Sequence, residues 1–179
     1  MMRKVLDFSR RHFVVFLLCA LSPGSLTLYQ ATAAPLQTDQ EKEKIPLLQK
    51  ALPEAERFER VNRGGFQYVG YRGKERVGAV LYTQGRGYLG PMEVMVGIDS
   101  QGKVVEVLLL SHSETPTLWT READEGFRAQ FRGKSGPFIL KKEGPAGNLD
   151  GVAAATYSCR GIIDAVDEAL RIFKKEWGE

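Results

Sequence analysis

Glu93-Val-Met-Val-Gly-Ile98, then Asp99-Ser-Gln-Gly102, then Val104-Val-Glu-Val-Leu-Leu-Leu110 is the stretch that decides the fold. Its two branched, apolar runs suit a pleated surface, and the Asp-to-Gly segment supplies the reversal of a β-hairpin. Upstream, Phe66-Gln-Tyr-Val-Gly-Tyr71 and Val77-Gly-Ala-Val-Leu-Tyr82 flank Arg72-Gly73-Lys74 and predict a second hairpin. Gly85-Arg-Gly-Tyr-Leu-Gly-Pro91 joins the two as a glycine-rich loop. Before them, Pro46 opens a helical pattern of Leu47, Leu48, Ala51, Leu52, Ala55 and Phe58, shortened or kinked at Pro53. After them, Ser111 to Trp119 is irregular, and Thr120 caps a helix using Ala123, Phe127 and Phe131. Phe138-Ile-Leu140 reads as a short edge strand, and Gly144 to Gly147 as a loop. Ile162, Ile163, Val166, Ala169, Leu170 and Phe173 line one face of a strong final helix. The sum is class α+β: an antiparallel sheet flanked by helices, in one domain.

The formal charge of +3 lies in the leader. Arg3, Lys4, Arg10 and Arg11, with Asp7 as the one acid, precede residue 35; of the 25 basic and 22 acidic residues, 21 of each remain beyond it. A neutral body lacks the basic footprint that nucleic-acid binding requires. Residues 1–34 read as a signal peptide or N-terminal membrane anchor: a basic start, the apolar run Phe13 to Leu21, a break at Ser22-Pro23-Gly24, and the small-x-small site Ala31-Thr32-Ala33. A spanning helix wants about 20 apolar residues, so a cleaved signal is favoured over a retained anchor. Polar residues 35–44 form a linker, and 45–179 the folded domain. Cys19 falls in the leader, leaving Cys159 alone in the body and no internal disulfide.

Catalytic groups are sparse. His112 is the one histidine of the body, which speaks against a His/Cys metal centre, and no nucleophile-elbow pattern occurs. Gly133-Lys134-Ser135 is not a phosphate loop, because Arg128 stands where its first glycine belongs. Chemistry concentrates instead in Asp150-Gly-Val-Ala-Ala-Ala-Thr-Tyr-Ser158, at the start of the final helix. Free N–H groups and the dipole there favour an anion, and Thr156 and Ser158 add hydroxyls. The plain alternative is a capped helix with its alanines packed in the core.

That segment resembles the Asp-x-x-Ser/Thr-Gly-Ala-Thr-x-Thr/Ser signature of the FMN-binding domain family. The family includes the G subunit of the Rnf electron-transport complex and the C subunit of the sodium-translocating NADH:quinone reductase. Asp150, Ala155, Thr156 and Ser158 fit; Ala153 replaces Ser/Thr and Ala154 replaces glycine. Gly87-Tyr-Leu-Gly-Pro91 is similar to the family's Gly-Tyr-x-Gly-Pro stretch, and His112-Ser-Glu-Thr-Pro116 to its His-x-Glu-Thr-Pro-Gly-Leu-Gly loop, with Thr117 and Trp119 in place of glycines. Phe127 to Gly133 resembles its Phe-x-x-Gln-Phe-x-Gly element.

The resemblance implies that 45–179 is an FMN-binding domain, with FMN attached by a flavin transferase through a phosphoester (a phosphothreonine link) to Thr156. It implies cofactor contacts from Glu114, Thr115, Leu118, Trp119 and Ala155, with Asp150 serving the transferase and the loop. Thr156 is then an attachment point, and neither a catalytic residue nor a metal ligand is expected. The implied role is electron transport with a membrane or exported redox partner, in the periplasm or on the outer face of the cytoplasmic membrane. Two alternatives stay open: an FMN-dependent reductase component acting on an organic acceptor, and a non-redox domain of the same fold that has lost flavin.

Overall fold

In the computed structural model the hairpin around Asp99 forms one edge of the sheet, with β5 (Pro91–Asp99) paired to the outermost strand β6 (Val104–Ser111). Its turn is held by Asp99, whose Oδ1 accepts from the N–H groups of Gln101 and Lys103 at 2.8 and 2.9 Å. The structure describes residues 34–35, 43–63 and 66–177. The leader through its Ala31-Thr32-Ala33 site, and linker residues 36–42, lie outside the described residues.

The second hairpin is β3 (Phe66–Arg72) with β4 (Glu75–Arg86). β4 runs four residues past Tyr82 into the segment read as a loop, because Gly85 and Arg86 pair with Met92 and Pro91. The glycine-rich turn is therefore short, closed by Gly87 N–H donating to Gly90 O at 2.8 Å. β2 (Arg57–Arg63) and the two-residue β1 (Ala34–Pro35) complete a six-stranded antiparallel meander in chain order.

Helix α1 (Ile45–Ala51) ends sooner than the apolar spacing predicts. Pro53 disfavours helical backbone at Leu52, which is extended at φ −138°, ψ 80°. Phe58 is thus a strand residue, although it shares the buried cluster with Leu48, Ala51, Leu52 and Ala55. The expected strand at Phe138–Leu140 is also absent: only Leu140 bridges, to Leu149. The rest is irregular chain leading into a 3-10 turn, Lys141–Glu143. Phe138 instead lends its ring to a stack with Phe131 (centroids 4.7 Å) and, through it, Phe127 (5.5 Å).

The helices cover both faces of the sheet. α1 packs on one, over Val80, Met95 and Leu108. The long α3 (Thr156–Glu176) packs on the other, its six predicted face residues all buried against Leu81, Val94 and Val96. α2 (Arg121–Ala129) is capped by Thr120, whose Oγ1 accepts from Ala123 N–H at 3.2 Å. It is tied to β6 by Arg128, which donates to the Val107 carbonyl while pairing with Asp124.

α3 crosses β4 by direct backbone contact. A Cβ on Gly85 would lie 1.7 Å from the carbonyl oxygen of Gly161, and one on Gly161 2.8 Å from that of Arg86. No side chain fits between them. Gly85→Ala is expected to destabilise the domain by at least about 3 kcal/mol in urea unfolding, since close-packed backbone has nowhere to move. Gly126→Ala, in α2 with nothing within 4 Å of the added carbon, is expected to stabilise it by about 1 kcal/mol through helix propensity.

Candidate functional site

The start of α3, the turn after β4 and the loop after β6 meet at a cavity of about 360 Å³. That volume is in the range of small-molecule sites, about 300–1,000 Å³. Its lining holds Glu114, Thr115, Leu118 and Trp119 from the loop, and Ala154 through Ser158 from the helix start. Tyr88 from the β4–β5 turn completes it. Six of the seven residues singled out in the sequence are thereby brought to one place.

Asp150 is the one that stands apart. Its carboxylate pairs with Lys141 Nζ at 2.7 Å. Its backbone is clamped by the Gln130 side chain, which donates to Asp150 O at 3.0 Å and accepts from Asp150 N–H at 2.7 Å. The residue anchors the approach to α3 and does not line the cavity.

Glu114 is the buried acid of the site, 5% exposed. One carboxylate oxygen accepts from Leu89 N–H at 3.0 Å and the other from the Ser158 hydroxyl. Gly87 makes room for it, since a Cβ there would sit 2.6 Å from Glu114 Oε1. Burial pushes the carboxyl's pKa up. The bonds from Ser158, Leu89 and Tyr88, with the nearby His112, outweigh that and hold it below its ordinary value. His112 Nδ1 in turn accepts from Glu114 N–H at 3.1 Å, which gives the histidine a loop-shaping role.

Trp119 forms the apolar floor. It is buried, meets Phe127 edge-on at 6.0 Å, and lines the cavity at the same time. Its Nε1 is enclosed without an acceptor among the described residues. At the mouth, Tyr88 and Tyr157 are 69% and 60% exposed, with ring centroids 6.0 Å apart. Sequence reading passed over both tyrosines as site residues. Both lie inside quoted motifs, Tyr157 at a variable position, and only the fold brings the two rings together.

Thr156 begins α3, and the residue before it, Ala155, offers no side-chain cap. The N–H groups of Thr156, Tyr157 and Ser158 have no acceptor among the described residues; the first helical bond runs from Cys159 N–H to Ala155 O at 3.0 Å. Of the three alanines before it, Ala155 packs in the core, while Ala153 and Ala154 are exposed. Ala154 holds φ at +58°, the left-handed region that suits glycine. Cys159 is buried, its thiol pushed up by burial, and it accepts from Val152 N–H at 3.3 Å.

The cavity with its apolar wall and the uncapped helix start beside it fit a partly apolar ligand carrying an anion, and residues 87–171 match the model of the FMN-binding domain family. Over that span the chain is similar to the FMN-binding domain family. It is 28% identical over 119 residues to the G subunit of a proton-translocating ferredoxin:NAD(+) oxidoreductase complex from Clostridium ljungdahlii, spanning 65% of this chain and 64% of that protein. It is 36% identical over 95 residues to the G subunit of an ion-translocating oxidoreductase complex from Pseudomonas aeruginosa, spanning 49% and 44%. The match thus covers less than two thirds of either relative. The fold is shared with the C subunit of the Na(+)-translocating NADH-quinone reductase from Parabacteroides distasonis, at a TM-score of 0.51, 18% identity, and 63% and 62% coverage.

Glu114→Gln leaves an amide NH₂ facing a donor and is expected to cost about 1–3 kcal/mol at neutral pH. Because the folded pKa is depressed, the wild-type advantage is full above the ordinary value of 4.5 and shrinks as pH falls through the folded pKa. Urea unfolding of both proteins between pH 7 and 2.5 reads it. Ala154→Gly is expected to stabilise by about 0.5 kcal/mol, as relief of the left-handed strain exceeds the added chain entropy.

Proposed function

We propose that this chain is an exported flavoprotein, carrying FMN bonded through its phosphate to Oγ1 of Thr156, that passes electrons as a component or partner of a membrane redox complex. The observation that carries the reading is the setting of Thr156. Its hydroxyl stands at the uncapped start of a 21-residue helix, on the rim of the cavity. Free N–H groups and the positive end of the helix dipole favour a phosphate at that point. The match of residues 87–171 to the FMN-binding domain family supports FMN as the ligand, and the relatives that are G subunits of ion- and proton-translocating complexes support the electron-transfer role.

Bound there, FMN would supply the redox chemistry, and the chain supplies attachment, shape and electrostatics. Trp119 and Leu118 present apolar surface to the ring. Thr115 adds a hydroxyl beside them. Glu114 is ionised at neutral pH. By gripping both Leu89 N–H and Ser158 Oγ it holds the β4–β5 turn against α3, keeping the two walls of the cavity in register. Ala155 keeps the helix start narrow, and Asp150 fixes the loop that presents Thr156 to a flavin transferase.

A phosphoester tether suits a protein outside the cytoplasm, since an attached cofactor is not lost by dilution. The basic, apolar leader supports export to the periplasm or to the outer face of the cytoplasmic membrane, with the leader cut after Ala33. Among the described residues no helix is long and apolar enough to cross a membrane.

Intact mass of the full chain, produced with and without an active flavin transferase, tests the reading. Wild type is expected to gain the mass of FMN less one water with the enzyme present, and Thr156→Val to gain nothing. No gain in wild type beside an active transferase would sink the covalent link. The same spectrum reads the leader, by whether residues 1–33 are missing.

A further inference from the structure

Outside the cavity lining, the side chain of Lys142 reaches the Thr156 hydroxyl from the 3-10 turn, with Nζ donating to Oγ1. The charges around it are otherwise matched. Lys141 pairs with Asp150 at 2.7 Å, and Glu143 with Arg160 at 2.6 Å. Lys142 has no carboxylate within ion-pair distance among the described residues, so an ammonium stands against a neutral oxygen. An ammonium in that position is a cation awaiting an anion, and a phosphoester on Oγ1 would bring one within reach of the same Nζ.

We propose that Lys142 is the positioning residue for the flavin phosphate, pairing with the phosphoester on Thr156 opposite the free N–H groups of α3. The proposal rests on the reading of Thr156 as the FMN attachment point. Lys142 forms and breaks no bond. Its charge neutralises the phosphoester, which retains one negative charge after esterification, and so fixes the start of the ribityl chain at the rim of the cavity. The 3-10 turn is itself held in place, since Lys141 N–H donates to Leu149 O at 2.9 Å and Glu143 N–H to Leu140 O at 2.9 Å. Lys142 is therefore presented from anchored backbone.

The test uses the full chain co-produced with an active flavin transferase, as wild type, Lys142→Met, Lys142→Arg and Lys103→Met. Mass spectrometry follows the rate of flavin gain, and the ³¹P resonance of each loaded protein reports the surroundings of the phosphorus. Lys142→Met is expected to load about tenfold more slowly, the scale of one charge-assisted hydrogen bond. Its ³¹P resonance is expected to move, with Lys142→Arg returning both readouts toward wild type and Lys103→Met, at an exposed lysine of the β5–β6 turn, leaving both unchanged. If wild type loads and the Lys142→Met resonance coincides with its own, the pairing is overturned while the Thr156 attachment stands. A slow rate with an unmoved resonance overturns it as well, and assigns Lys142 to docking of the transferase. If wild type itself gains no flavin, the attachment reading falls and the role of Lys142 falls with it.

Discussion

Everything at the site depends on how near α3 can come to the sheet, and two glycines set that distance. With hydrogen at both Gly85 and Gly161, helix and strand touch backbone to backbone, and a methyl at Gly85 would lie 1.7 Å from the opposing carbonyl oxygen. Helices rise about 1.5 Å per residue, so holding Gly161 against β4 also holds Thr156, five residues earlier, about 7.5 Å along the axis. The contact comes where β4 turns into β5. The helix start is therefore delivered to the turn carrying Tyr88 and Leu89, and the loop after β6 closes the third side.

Two charged groups divide the work at that junction. Glu114 is inside, its burial offset by donors on both oxygens, so it acts as a rivet between turn and helix. Lys142 is outside, on an exposed turn, at the hydroxyl that begins the helix. A carboxylate among donors keeps its charge and stays where it is. Among the described residues the ammonium has only a neutral partner, the Thr156 hydroxyl beside the uncapped N–H groups. The site is thus finished on its protein side and open on its ligand side. Strain at Ala154 belongs to the same design, since the left-handed residue turns the chain into the helix without a capping side chain that would occupy the free N–H groups.

Much of the fold could be read because its signals are local. The Asp99 turn, the branched runs around it and the 3.6-residue apolar repeat of α3 each depend on neighbours in sequence. The failures came where distant chain decides. β2 is Arg-Phe-Glu-Arg-Val-Asn-Arg, a charged run that is a strand because β3 pairs with it. Phe58 continued a helical spacing that Pro53 had already ended. Phe138-Ile-Leu140 has strand composition, yet the sheet ends at β6 and Phe138 is claimed by the aromatic stack. At the site, motif order led to Glu114, Thr115, Leu118, Trp119, Ala155 and Thr156, while Asp150 proved to be a clamp for the loop.

By itself the sequence determined the hairpins, the amphipathic helix, the neutral charge of the body and the residue types available for chemistry. These follow from periodicity, turn propensity and composition, which act over a few residues. Only the tertiary structure decided which of those residues meet. Ser158 reaches Glu114 across 44 positions of chain, and Lys142 reaches Thr156 across 14. No local preference encodes such meetings; they arise because a sheet, a helix and the two glycines between them admit one close-packed arrangement.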